Sequence, residues 1–173
     1  MRAAGAVAAL LLAGFVLAAC GGGQGSESAA ASAQPPPRIR ARADAICRNL
    51  LREVEAIGAG ALRNPPATTL ELTTERLVRP SIPVLRRAAT RLGALESAAH
   101  SRPYSLFTDL FDPFLVLTEK RLRAGREGDG ERSRGLEEQL TDLSLTQRRA
   151  AHLAGLRDCD IDFPHALLES LSE

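Results

Sequence analysis

Residues 43–61 read Ala43-Asp44-Ala45-Ile46-Cys47-Arg48-Asn49-Leu50-Leu51-Arg52-Glu53-Val54-Glu55-Ala56-Ile57-Gly58-Ala59-Gly60-Ala61. Ala43, Ile46, Cys47, Leu50, Leu51, Val54, Ile57 and Ala61 recur at three- and four-residue spacing, which places them on one stripe of a helix. Asp44, Arg48, Arg52 and Glu55 fall largely outside that stripe. Asn64-Pro65-Pro66 ends it, because proline lacks the N–H that continues a helix. A helix is therefore expected from about Arg38 to Arg63.

The same period organises the chain beyond it. A second helix begins near Thr68 or Thr69, both good N-caps. It carries Leu70, Leu77, Val78, Ile82, Leu85, Ala88, Leu92 and Leu95. Pro80 and Pro83 interrupt it, so a kink or break is expected near Arg79–Ile82, with Ser81 capping the second part. A third helix starts around Pro103, with Leu106, Phe107, Leu110, Phe111, Phe114, Leu117 and Leu122 as its stripe and a bend at Pro113. Gly125 to Gly130 reads as a turn. A fourth helix spans about Glu131 to Leu156, with Leu136, Leu140, Leu143, Ala150, Leu153 and Ala154 inward. A short tail helix over Pro164–Leu171 follows, packing Leu167, Leu168 and Leu171 back. No segment alternates as a strand does. The expected fold is all-α, an antiparallel four-helix bundle with kinked second and third helices. An irregular all-α domain is the alternative that Pro80, Pro83 and Pro113 favour.

The first 37 residues read differently. Met1-Arg2 is followed by an apolar, uncharged run, Ala3 to Val16, then Leu17-Ala18-Ala19-Cys20. That is the build of a secretory signal peptide, and the run is short for a spanning helix, which needs about 20 apolar residues. Leu17, Ala18, Ala19 and Cys20 match in order the lipobox of bacterial lipoprotein precursors, which the segment resembles. The resemblance implies a diacylglycerol thioether on Cys20, cleavage before it, and recognition of Leu17, Ala18 and Ala19 by the signal peptidase. Two acyl chains anchor a protein stably where one gives marginal binding. The implied localisation is the extracytoplasmic face of the cell membrane. Residues 1–19 are then leader, 20–37 a lipidated cysteine and flexible Gly/Ser/Ala linker ending in Pro35-Pro36-Pro37, and 38–173 one domain.

Charge is nearly balanced: 22 basic and 21 acidic residues give a net +1. No single-sign cluster appears, so nucleic-acid binding, which replaces counterions with clustered cations, is not supported. Five Phe, one Tyr and no Trp leave few rings for stacking on sugars or bases.

With Cys20 used for lipid, Cys47 and Cys159 remain. An exported domain with two cysteines favours a disulfide, and up-down topology returns the end of the fourth helix to the start of the first. Such a bridge is expected to contribute roughly 4–5 kcal/mol by the chain-entropy argument. Arg42-Ala43-Asp44-Ala45-Ile46-Cys47 and Gly155-Leu156-Arg157-Asp158-Cys159 also resemble a pattern in helical lipoproteins of high-GC Gram-positive bacteria. That resemblance implies a helical fold with a disulfide between its two ends and implies no activity.

Other constellations are weaker. Asp158, Asp160, Asp162 and Glu169 have the spacing of an EF-hand loop, but Phe163 stands where the turn needs glycine, and Pro164 and Ala166 fill later ligand positions. A solvated acidic segment is the plainer reading. His100, His152 and His165 form no zinc pairing. Ser81, Ser133 and Ser144 sit in no nucleophile elbow. No metal, cofactor or catalytic residue is assigned. The expected role is a non-catalytic envelope interaction or scaffold module, whose partners are the membrane, through the anchor, and an envelope protein. A carrier or sensor of a small hydrophobic ligand, using a cavity opened at the prolines, is the alternative. An unrecognised hydrolase comes last.

Overall fold

A computed structural model describes residues 34–63 and 68–160. The leader with Leu17, Ala18, Ala19 and Cys20, most of the linker, and the expected tail helix over Pro164–Leu171 lie outside the described residues. Every described element is helical, and no strand occurs among these residues. None of their helices is long and apolar enough to cross a membrane.

Helix α1 spans Pro37–Arg63, with proline at its first position, where a missing N–H costs nothing. Its stripe is as expected: Ala43, Cys47, Leu50, Val54 and Ala61 are buried, and Ile46, Leu51 and Ile57 are partly so. Ile39 extends the buried face one turn earlier.

The second helical stretch does not break at its prolines. Three α residues, α2 (Thr69–Glu71), lead into a π-helical segment, Leu72–Val78, and then into α3 (Arg79–Gly93). Thr68 caps the start, its hydroxyl accepting from the N–H of Glu71 at 3.1 Å. The Arg79 N–H donates to the Thr74 carbonyl, five residues back instead of four. The chain thus yields before Pro80 by widening: a wider turn moves the upstream carbonyls away from the proline ring. Ser81 is not a cap; buried, it donates to the Val78 carbonyl at 2.7 Å. Leu77, Val78, Ile82, Leu85, Ala88, Leu92 and Leu95 are all buried.

A single turn, α4 (Glu96–Ala99), ends at His100 in the left-handed conformation, φ 44°. Ser101 then caps α5 (Arg102–Asp109), accepting from the Tyr104 N–H at 3.4 Å. The expected bend at Pro113 is instead a break at Leu110, and α6 (Phe111–Arg126) begins anew. Pro113 falls in the first turn of α6, where its missing donor is harmless. Gly128, at φ 72°, turns the chain, and Asp129 caps α7 (Gly130–Leu153) by accepting from the Arg132 N–H at 2.9 Å. α6 and α7 pack along each other as a helical hairpin, with Arg121 pairing Glu137 across it at 3.1 Å.

The core takes α1, α3, α5, α6 and α7. Tyr104, Phe107 and Phe111 are its largest fully buried side chains. Phe107 meets Phe111 edge-on, with ring centroids 5.4 Å apart. Two expected core positions are exposed: Leu106 is 48% and Leu153 is 61% accessible. α7 turns Leu136, Leu140, Ser144, Gln147, Ala150, Ala151 and Ala154 inward instead. α5 packs on α7. Tyr104 and Phe107 are the buried residues of α5, and the buried face of α7 includes small and polar positions.

The π segment lies against the end of α6. A Cβ on Gly125 would stand 2.2 Å from the Thr74 hydroxyl and 3.1 Å from its Cβ. Gly125→Ala is therefore expected to destabilise by about 1–3 kcal/mol, since neither backbone can withdraw cheaply. Gly135→Ala, in α7 with nothing within 4 Å, is expected to stabilise by about 1 kcal/mol through helix propensity. Urea unfolding of the two variants checks the contrast; equal effects would remove the close approach from the argument.

Candidate functional site

Of the residues with assigned chemistry, Cys47 and Cys159 come together, where the start of α1 meets the segment after α7. α7 ends in a Schellman motif. Gly155, at φ 69°, donates to the His152 carbonyl at 2.9 Å, and Leu156 donates to the Ala151 carbonyl at 3.0 Å. Only glycine takes that conformation without strain. The reversal directs residues 157–159 onto the early turns of α1. There Asp44 Oδ1 accepts from the backbone N–H of Arg157 at 2.9 Å and of Asp158 at 3.1 Å. Cys47 and Cys159 form a disulfide, with Cα atoms 5.1 Å apart and a sequence separation of 112. Arg48 pairs with Asp158 beside it. Both cysteines are buried.

This clasp gives physical meaning to the two stretches Arg42–Cys47 and Gly155–Cys159. In Arg42–Cys47, Asp44 is the acceptor for the returning backbone. In Gly155–Cys159, Gly155 makes the turn and Cys159 the bond. Removing the Asp44 carboxylate leaves two backbone donors without their partner, one of them part-buried. Asp44→Ala is expected to cost about 1–3 kcal/mol, and Asp44→Asn, which keeps an acceptor oxygen, less. Equal losses in urea unfolding would show that the carboxylate position is not what matters.

The acids of the EF-hand-like spacing are divided. Asp158 takes Arg48, and Asp160 accepts from Arg148 Nε at 2.7 Å. Asp162 and Glu169 lie outside the described residues, as does His165. Among the described residues no group of three or more His, Cys, Asp or Glu is placed to hold a metal ion. His100 and His152 are exposed, Ser81 and Ser144 are buried in helices, and Ser133 is half-buried.

Three further surfaces carry polar groups. A cleft of about 440 Å³ between α3 and the start of α6 is lined by Arg86, Thr90, Glu96, Asp109 and Asp112 above Phe111. Beside it Tyr104 is buried and donates to the Leu92 carbonyl at 2.9 Å. Burial, and then the Glu96 charge, push its phenol above the usual tyrosine range. At the other end of α6, Glu75 receives Arg126 at 2.6 Å and Arg79 at 3.1 Å. The Arg126 hydrogen bond, helped by Arg79, holds the Glu75 carboxyl below its ordinary value. The contribution of this exposed cluster is present at neutral pH and disappears as pH falls through that lowered pKa. The third surface is an open groove on the outer side of α7, lined by Leu145, Arg148, Arg149, His152, Leu153 and Asp160.

Compared with protein-family models, curated proteins and solved structures, the chain matches none.

Proposed function

We propose that this chain is an exported lipoprotein, anchored through Cys20 on the outer face of the cell membrane, whose helical domain acts by binding and not by catalysis. The observation that carries this reading is the Cys47–Cys159 disulfide. Disulfides persist in oxidising compartments and are rare in the cytosol, so the bond agrees with the leader and lipobox of residues 1–20. The site supports binding better than chemistry. The clasp uses its polar groups to hold backbone and charge: Asp44 on two N–H groups, Asp158 on Arg48, Asp160 on Arg148. The binding partner in this reading is a protein of the envelope.

The helices are arranged, in the same proposal, as an antiparallel four-helix bundle: α1, the α2–α3 stretch, α5 with α6, and α7. The α6–α7 hairpin and the return of residue 159 to α1 support that order. The linker enters at Pro37, at the clasped end. Gln34 lies beside Gly155, where an added Cβ would stand 2.7 Å from its amide oxygen. The clasped end would then face the bilayer, and the α6–α7 turn would point away from it.

Fractionation with Cys20→Ala tests the anchor. The unsubstituted chain is expected in the membrane fraction, and the variant as an unprocessed precursor or a released protein. Identical fractionation and identical processing of the two would overturn the reading.

A further inference from the structure

The outer face of α7 divides its charge between its two halves. Glu138, Asp142, Leu145, Arg149 and His152 follow one another at alternating intervals of four and three residues, so they lie on one line along the helix. All five are exposed. Among the described residues, none of the four polar side chains makes an ion pair or a side-chain hydrogen bond. The acids stand toward the start of α7 and the bases toward its end, with Leu145 between them. The helix dipole favours that polarity only within the first and last turns, and Glu138 and Asp142 lie eight and twelve residues in from Gly130. They are also like charges four residues apart, a spacing that weakens an isolated helix. Leu145 is 45% and Leu153 is 61% accessible, and both line the groove of about 490 Å³ on this side.

We propose that this face of α7 docks on the same face of a second copy of the chain, antiparallel, across a twofold axis beside Leu145. Charge complementarity singles out that occupant. Counted from Leu145, Asp142 lies three residues to one side and Arg149 four to the other, and Glu138 and His152 lie seven to either side. At a rise of about 1.5 Å per residue the two halves of the line match in length. An antiparallel copy therefore sets Asp142 beside Arg149 of the second copy and Glu138 beside its His152. Each pairing occurs twice, as an isologous contact requires. Leu145 meets its own equivalent at the axis, which removes apolar surface from water at the centre of the contact. A parallel copy would set acid on acid and base on base, so the charges fix the direction as well as the register. The contact uses residues 138–153 alone, and Arg148 keeps its pair with Asp160. It rests on this face of α7 and not on export, lipidation or an envelope partner.

Crosslinking of the purified full chain tests it, with Leu145→Cys and a short bis-maleimide. The unsubstituted chain, treated alike, is the blank. The expected product is a covalent dimer joined through position 145. Adding Asp142→Arg sets arginine against Arg149 of the second copy, and adding Arg149→Asp sets aspartate against its Asp142. Each should lower the dimer yield severalfold. Mixing these two variants restores opposite charges at both contacts, and the yield should return to that of Leu145→Cys alone. Mixing does not repair a misfolded chain, and helicity and the Cys47–Cys159 bond are measured alongside. A chain that stays uncrosslinked, leaving this face to another partner, would overturn the proposal. A dimer yield that ignores the charge reversals, or a loss that mixing leaves in place, would do the same.

Discussion

Replacing Cys47 and Cys159 together by serine is expected to lower the unfolding free energy by about 4–5 kcal/mol. The bond closes a loop with a sequence separation of 112, nearly the whole described domain. Without it the unfolded chain regains the conformations that the closed loop forbids, and that gain grows with the logarithm of loop length. Small domains are stable by only about 5–15 kcal/mol, so the loss is a large fraction of the total. The rest of the clasp does not replace the bond. Arg48–Asp158 is a solvent-exposed ion pair, of a kind that contributes about 0–1 kcal/mol. Asp44 with its two backbone donors is the larger remainder. Urea unfolding of the double variant measures the loss. The denaturant slope should also rise, because an uncrosslinked chain exposes more surface when it unfolds. A loss below about 1 kcal/mol would mean that the clasp holds without its covalent bond.

Phe107→Ala is expected to cost about 3–5 kcal/mol, the range for truncating a buried phenylalanine and leaving a cavity. Phe107 is fully buried, edge-on to Phe111 at 5.4 Å and tilted against Tyr104 at 6.2 Å. α5 is only eight residues long. Such a helix is marginal alone and holds its shape through packing. Its buried residues are Tyr104 and Phe107. Loss of the Phe107 ring should therefore loosen α5 locally, seen as faster amide exchange at residues 102–109, besides the global loss. Leu106→Ala, one position away but 48% exposed, should fall within about 0.5 kcal/mol of the unsubstituted protein. Similar losses for Phe107→Ala and Leu106→Ala would contradict the burial on which the core is built.

How much of this was legible in the sequence differs from helix to helix. α1 could be read nearly residue by residue, because one apolar stripe and one proline stop agree. The disulfide was legible because the expectation of export and the expected up-down helix order both pointed to Cys47 and Cys159, which the structure joins. The π segment was not. Pro80 and Pro83 say where α winding is unfavourable, but not whether the chain answers by breaking after them or widening before them. At Pro113 the same residue type ended in a third way, in the first turn of a new helix. The inner face of α7 was misread at Leu153. Hydropathy assigns a leucine inward, whereas α7 buries Ser144, Gln147 and alanines and leaves Leu153 exposed. The clasp's polar contacts were also hidden: Asp44 looked like an outer-face charge of α1, and its two donors lie 113 and 114 residues away. No local pattern reports a bond across that distance.

One measurement bears on the whole reading: mass spectrometry of the non-reduced protein taken from the membrane fraction of its cells. The expected result is a mature chain that begins at Cys20 carrying diacylglycerol, together with a single peptide pair joined through Cys47 and Cys159. A chain beginning at any other residue or at unmodified Cys20, or free thiols at Cys47 and Cys159, would contradict it.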